Sequence, residues 1–319
     1  MDFFSGIVGQ DKVVNLLKSS IAAGNVSHAY LLAGPEGVGK TSIALAFAYT
    51  LLAAADPQAG MFIKDNVHPD LMIISKPENK TLIGKEQITR EMEPWLALKP
   101  FRSDRKVVII KDSSRMSLEA ANAILKTLEE PPAYTVIILV SDELNVLPTI
   151  LSRCQIVRLF ALPDNIVERF LINQGIDPDR AHQAARLAQG SIGRAREFST
   201  NVDFTSVWST MQNMLQEFSR GHYDYIFTLA EKMQVDPRLY ASVMETVLRD
   251  VYIYQLTKQQ HLLAIPDNID MIRSIPEIDP NKIETALKRI NDLKGYFRTN
   301  VNSLLLSTNI SYEVFEALN

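Results

Sequence analysis

Apolar residues along the first half of the chain alternate between two patterns. Short runs rich in β-branched residues have the length of buried strands. These runs lie at 29–34, 70–75, 106–110, 135–141 and 156–160. Longer helical patterns separate them, including 40–55, which is apolar nearly all round, and a segment that opens on Ser117 and stops at Pro131. Strands that alternate with helices predict an α/β fold with a parallel sheet.

The strand pattern disappears after Pro163. Two short amphipathic helices are predicted at 164–175 and 177–190, each ended by glycine, and helical periodicity continues from about residue 205 onward. We therefore expect a chain of three parts. The predicted domains are an α/β domain at 1–162, a helical lid at 163–204 and an all-helical domain at 205–319.

Composition narrows the class of protein. The formal net charge of −4 argues against a strongly basic nucleic-acid-binding domain, although it leaves room for a local basic face. The single cysteine, Cys154, can form neither an internal disulfide nor a CxxC metal site, which fits a reducing compartment. No run approaches the roughly eighteen apolar residues that span a bilayer. We expect a soluble cytoplasmic protein without a membrane partner.

A complete phosphate-binding loop, the P-loop "GPEGVGKTS" at 34–42, lies between the first strand and the next helix. Its glycines let consecutive backbone N–H groups curl around phosphate oxygens, and the helix N-terminus adds its dipole. Lys40 would neutralise the β- and γ-phosphates, and the Thr41 hydroxyl would bind Mg²⁺. The loop predicts a site for ATP or ADP.

The acidic half of such a site is altered. P-loop nucleoside triphosphatases normally place an acid at the end of a neighbouring strand to hold Mg²⁺. In this degenerate Walker B segment Lys111 takes that position and Asp112 follows. An ammonium near Lys40 disfavours a divalent cation. Because successive strand residues point to opposite faces, Asp112 can replace the missing acid only through a local shift. A bulge that lets Asp112 act while Lys111 turns to solvent is the alternative.

Several other polar residues have two interpretations. Arg153, just before the last strand, is either a weakly paired surface cation or an arginine finger for a phosphate on a neighbouring subunit. Arg194, near the start of a lid helix, is either solvated or in contact with a nucleotide. The basic segment 99–106 is an exposed turn or a DNA contact. Cys154 fits a core position better than a nucleophile. The five histidines lack metal-ligand spacing, so no metal site is assigned.

These motifs together resemble the clamp-loader branch of the AAA+ family. The resemblance is carried by "IVGQ", "HAYLLAGPEGVGKTS", "IGKEQI", "RKVVIIKDSSRMSLEAANAILKTLEEPP" and "LPTILSRCQIVRL". It covers residues 1 to about 200 and reaches the last domain loosely, through "NVNSLLLSTN". It implies a RecA-like AAA+ ATPase domain, a helical lid and a helical collar that oligomerises. The implied assembly is a hetero-pentamer of motor and clamp-opening subunits that uses ATP to load a sliding clamp onto primed DNA.

The resemblance also implies roles for individual residues. By position, the nucleotide loop consists of Gly34, Pro35, Gly37, Val38, Gly39, Lys40, Thr41 and Ser42. Ile7 and Val8 would line the adenine pocket, and Ser141 would sense the γ-phosphate. Arg153 would be the finger presented to a neighbouring motor subunit.

Three departures from the family pattern bear on activity. The segment after the P-loop helix has no cysteine cluster, so we expect no zinc. Lys111 and Asp112 replace the adjacent acids of the motor subunits, and Gly193 takes the place of a lid arginine, with Arg194 next to it. We therefore expect a non-motor subunit that can hold a nucleotide, hydrolyses it poorly and provides Arg153 in trans. An active ATPase motor that uses Asp112 and a scaffold with a vestigial P-loop are the alternatives.

Overall fold

The computed structural model describes residues 2–62, 67–77, 80–142, 146–201, 203–266, 269–297 and 301–319. The chain forms two compact units. The first comprises 1–170 with 189–194, and the second comprises 171–188 with 195–319. The division into three domains at 162/163 and 204/205 stays a prediction.

A five-stranded parallel sheet forms the centre of the first unit. Its strands are β1 Ala29–Ala33, β2 Leu71–Ile74, β3 Lys106–Ile110, β4 Thr135–Ser141 and β5 Gln155–Arg158. The strand order is β2-β3-β4-β1-β5, and every neighbouring pair is parallel. This arrangement confirms the predicted α/β class. Because β1 lies between β4 and β5, the loop that follows β1 emerges between the carboxyl ends of those two strands.

Helices cover both faces of this sheet. They are α1 Asp11–Ala22, α2 Lys40–Ala53, α3 Glu93–Ala97, α4 Leu118–Glu129 and α5 Pro148–Leu151, with a π-helix at Gln87–Met92 before α3. Strand residues alternate between two apolar cores, so Val107 and Ile109 pack on the side of α2, whereas Val108 and Ile110 pack on the side of α4. The Ala120 N–H donates to Ser117 Oγ, which confirms Ser117 as the N-cap of α4.

The remaining helices build most of the second unit. They are α6 Asp164–Asn173, α7 Pro178–Leu187, α8 Ile192–Asn201, α9 Phe204–Ser219, α10 Tyr225–Lys232, α11 Pro237–Thr257, α12 Ile269–Arg273, α13 Pro280–Tyr296 and α14 Ser303–Leu318. Side-chain oxygens of Asp177, Asp236, Asp279 and Asn302 cap four of them by accepting backbone N–H bonds. Among the described residues, no helix is both long enough and apolar enough to cross a membrane.

Candidate functional site

The P-loop starts at a point where only glycine fits. The Gly34 N–H donates to the carbonyl of Ser141, the last residue of β4, at 3.3 Å. On the other side, the carbonyl oxygen of Leu159 lies 2.3 Å from the place that a Cβ of Gly34 would take. Any side chain at this position would displace the backbone that follows β5. The two strand ends therefore set the path of the loop.

The rest of the P-loop has a left-handed backbone at two glycines and leads directly into α2. Gly37 and Gly39 have φ angles of 73° and 99°, a left-handed region that residues with a side chain rarely adopt. Gly39 is the N-cap of α2, so the helix begins directly at Lys40 and its first N–H groups point into the loop. Val38 is buried and anchors the loop in the core on the α2 side. Phosphate binding by this loop stays a prediction.

Lys40 is 5 % exposed and contacts a carboxylate that the sequence analysis did not single out. Its ammonium forms an ion pair with Asp142 Oδ1 at 2.8 Å and donates to the carbonyl oxygens of Gly34, at 2.7 Å, and Pro35. The alternation of β4 contains the signal for this contact. Val136, Ile138 and Val140 pack on the α2 side, and Asp142 continues that series by two residues.

The end of β3 places a lysine at the last sheet position. The Lys111 N–H donates to the carbonyl of Ile74 on β2 at 2.8 Å, so Lys111 continues the strand pairing. By alternation after Val107 and Ile109, its side chain lies on the α2 side of the sheet. Asp112 then adopts a left-handed φ of 51°, and the chain turns into a short 3₁₀ helix at Ser113–Arg115. The predicted roles of Lys111 and Asp112 at the metal position stay predictions.

The segment "IVGQ" lies against the chain that follows β5. Ile7 packs on the core that contains α2. Gly9 has a φ of 68°, and a Cβ there would meet the Leu162 side chain at 2.8 Å. The Gln10 Nε2 donates to the carbonyl of Phe160 at 2.8 Å. This position is compatible with the adenine-pocket role of Ile7 and Val8, which stays a prediction.

A turn at 190–194, the lid turn, packs directly on the P-loop. The Gly193 N–H donates to the Gly37 carbonyl at 3.1 Å. The Ser191 Oγ lies 2.1 Å from the place that a Cβ of Gly37 would take. Arg194 Nη2 forms an ion pair with Glu36 Oε2 at 3.3 Å. Arg194 therefore lies at the loop, as the nucleotide-contact interpretation expects, and its guanidinium is bound to a P-loop carboxylate.

Arg153 follows α5 at the first unit's surface, and its direction is set by three acceptors. Nη2 pairs with Glu129 Oε1 at 2.6 Å, and Nη1 donates to the Thr149 carbonyl at 2.9 Å and to Ser152 Oγ at 3.1 Å. The Arg153 side chain remains 34 % exposed. Next to it, burial raises the pKa of the Cys154 thiol to about 11, which opposes a nucleophilic role.

The basic segment 99–106 is tied to the fold by acidic side chains. The Asp70 carboxylate accepts the backbone N–H groups of 101–103 at 2.7 to 2.9 Å. Arg102 Nε pairs with Asp56 Oδ2 at 2.7 Å, and Lys106 is buried and donates to a backbone carbonyl. At least two basic side chains of the segment therefore serve the fold, which favours the turn interpretation over a DNA contact.

Metal sites receive no support in the part of the chain that the structure describes. No group of three or more His, Cys, Asp or Glu side chains is placed there to hold a metal ion. Residues 63–66, in the segment after α2, lie outside the described residues. The expectation that zinc is absent stays a prediction.

Comparison with known proteins gives consistent matches over the first unit. The family described as "DNA polymerase III, delta subunit" matches residues 9–163. The chain is 34 % identical over 203 residues to DNA polymerase III subunit delta' of Bacillus subtilis, which covers 61 % of this chain and 60 % of the relative. It is 36 % identical over 137 residues to subunit delta' of Pseudomonas aeruginosa, covering 40 % of this chain and 42 % of the relative.

A third relative belongs to another subunit type. DNA polymerase III subunit gamma of Buchnera aphidicola is 30 % identical over 201 residues, covering 60 % of this chain and 56 % of the relative. The chain thus spans at most 60 % of the length of these three relatives. The matched residues 9–163 contain both the P-loop and Arg153, so this part of the chain is similar to subunits of DNA polymerase III.

Proposed function

We propose that this chain is a non-motor subunit of a bacterial clamp loader, of the delta-prime type, that acts in the cytoplasm. In this proposal it assembles with motor and clamp-opening subunits in a hetero-pentamer that loads the sliding clamp onto primed DNA. The likeness to delta' and gamma subunits supports the clamp-loader role. The chain holds ATP or ADP at its P-loop, turns it over poorly and provides an arginine to a neighbour.

The non-motor part of the proposal rests on one observation, the lysine at the end of β3. Lys111 is still paired with β2 and lies, by alternation, on the same side of the sheet as α2, whose first residue is Lys40. Two ammonium groups on this side repel a divalent cation. Since Mg²⁺ neutralises the charge that develops during phosphoryl transfer, its loss slows hydrolysis more than nucleotide binding.

The proposed role of Arg153 at a neighbouring subunit's site rests on the contacts that hold its side chain in place. An exposed arginine normally samples many rotamers, and ordering it costs side-chain entropy. Here Glu129 and the Thr149 carbonyl hold the guanidinium while a third of the side chain stays accessible. An arginine oriented in this way can bind a phosphate on a neighbouring subunit with little further ordering.

Replacement of Arg153 in a reconstituted complex tests this role. Arg153→Ala should leave the isolated chain folded and its own nucleotide binding unchanged. It should lower ATP turnover roughly a thousandfold at the site it serves, because an arginine finger stabilises the charge of the transition state. Steady-state phosphate release by the complex measures the effect. Arg90→Ala, which removes a surface arginine paired with Glu86, is the matched control. Normal turnover with Arg153→Ala would refute the role.

An active motor is the second candidate, and the backbone at Asp112 favours it. The left-handed turn at this residue breaks strand alternation, so the side chain of Asp112 does not have to follow the strand pattern. Phosphate release by the isolated chain with Mg²⁺ separates the two candidates. We expect little turnover. Measurable turnover that Asp112→Asn abolishes would instead establish Asp112 as the working acid.

A further inference from the structure

The ammonium of Lys40 is bound by oxygens of its own chain in this structure. A lysine ammonium carries three N–H donors and no acceptor. Lys40 has three oxygen partners, the carbonyls of Gly34 and Pro35 and the carboxylate of Asp142. A nucleotide phosphate that binds Lys40 therefore competes with these oxygens for the ammonium.

Asp142 is the partner that resembles a phosphate. It is the only negatively charged group among the three, and its oxygen forms an ion pair with the ammonium at 2.8 Å. Lys40 is 5 % exposed and the Asp142 side chain 27 %, so solvent and salt screen this pair less than a surface pair. The carboxylate thus supplies the negative charge that the P-loop lysine would otherwise obtain from a nucleotide.

The lid turn supports the same arrangement of the loop. The Gly193 N–H and the Ser191 hydroxyl group both lie against Gly37, and Arg194 holds Glu36, the residue just before it. These contacts act on the middle of the loop, while Asp142 acts on Lys40 at its end. The P-loop is therefore bound by its own chain at two points.

We propose that Asp142 is an internal competitor for the phosphates of a nucleoside di- or triphosphate and thereby sets the affinity of this P-loop. Nucleotide binding requires the Lys40–Asp142 ion pair to open, so the measured affinity is the intrinsic affinity reduced by the fraction of open loop. This inference rests on nucleotide binding at the P-loop, which is part of the proposed function. It assigns to Asp142 a positioning role on Lys40.

The same carboxylate could instead replace the acid that is missing at Lys111 and bind Mg²⁺. The two roles predict opposite effects of Asp142 on nucleotide affinity. A competitor weakens nucleotide binding whether or not Mg²⁺ is present, whereas a metal ligand strengthens binding only when Mg²⁺ is present.

Titration of the purified full chain with a fluorescent ADP, with and without Mg²⁺, distinguishes the two. Asp142→Asn should tighten ADP binding about tenfold in both conditions, because a partly buried ion pair no longer competes for the ammonium. Glu86→Gln removes a carboxylate that is 67 % exposed and changes the net charge equally, so it should leave the affinity unchanged. Unchanged or weaker binding by Asp142→Asn would overturn the proposal.

A second measurement keeps the inference separate from the proposed function. If neither wild type nor Asp142→Asn binds ADP, amide hydrogen exchange of residues 34–40 decides. Faster exchange in Asp142→Asn than in wild type and Glu86→Gln would support the ion pair between Asp142 and Lys40. In that case only the proposal of nucleotide binding would be wrong. Equal exchange in all three proteins would show that Asp142 does not hold the loop.

Discussion

Gly37 lacks a side chain at a point where the backbone has a φ of 73° and the Ser191 Oγ occupies the space that a Cβ would need. Two separate effects therefore require glycine here. The left-handed backbone costs roughly 1–2 kcal/mol for a residue with a Cβ. The contact with Ser191 adds a steric cost, since an oxygen at 2.1 Å must move away. The lid turn can therefore pack this closely on the P-loop because residue 37 has no Cβ.

Gly24 separates these two effects because its φ of 64° is similar and no atom lies within 4 Å of its Cβ position. Gly24→Ala should lower the free energy of unfolding by about 1 kcal/mol, and Gly37→Ala by about 2–4 kcal/mol. Urea unfolding of both variants measures the difference. Combining Gly37→Ala with Ser191→Ala should recover part of the loss. Equal costs at the two glycines would mean that the lid turn does not press on the loop.

At the scale of elements, acidic side chains tie the end of α2 and the start of β2 to the segment before β3. Asp56, just after α2, binds the Arg102 guanidinium and lies 3.2 Å from His68 Nε2. The carboxylate of Asp70, just before β2, accepts hydrogen bonds from the backbone N–H groups of residues 101–103. This network satisfies polar groups that would otherwise be buried without partners. It fixes the amino ends of the strands, opposite the P-loop.

The pKa of Asp56 gives this network a pH dependence. The hydrogen bond from Arg102, with further hydrogen bonds from Gln58 and His68, holds the pKa of Asp56 well below its usual range. A depressed pKa in the folded state contributes stability that is present above the unfolded pKa of about 4 and is lost as pH falls toward the folded value. Asp56→Asn should therefore be less stable than wild type at neutral pH.

Unfolding midpoints of wild type and Asp56→Asn, compared from neutral pH to about pH 3, test this sign. The difference in midpoint between the two proteins should narrow as the pH drops below about 4, because the Asp56 carboxylate of the unfolded wild-type chain takes up a proton there while that of the folded chain stays ionised. Asp104→Asn, at an exposed position in the same segment, is the control and should follow wild type throughout. A gap that stays constant with pH would contradict the role of the charge.

At the scale of the whole molecule, the strands were predictable and the side-chain pairs were not. The runs at 29–34 and 135–141 became β1 and β4 with shifts of at most one residue, because burial on both faces leaves a continuous apolar signal. The run at 156–160 became the edge strand β5 with shifts of at most two residues, although only Val157 is buried in it. The P-loop was predictable since its glycine spacing is local. The ion pair between Lys40 and Asp142 joins residues about a hundred positions apart, and only the strand order brings them together.

Other features had no local signal. Arg153 stands out in the sequence, whereas its partner Glu129 is one of two adjacent glutamates before Pro131, and periodicity does not say which of them pairs. The lid turn also lacked a local signal. Gly190 and Gly193 predict a bend, but they do not indicate that the bend packs on the P-loop. Contacts of this kind depend on tertiary packing, which a pattern of apolar residues constrains only loosely.

The position of β5 has a mechanical consequence. Arg153 precedes this strand by two residues, and the Leu159 carbonyl just beyond its other end occupies the space that a side chain of Gly34 would need at the entrance of the P-loop. β5 joins these two points over about 13 Å and is hydrogen-bonded to β1, so we expect it to move as one rigid segment. In the proposed assembly, a force that a neighbour's phosphate exerts on Arg153 would therefore reach this chain's own P-loop through β5. The nucleotide sites of two subunits would then be mechanically coupled.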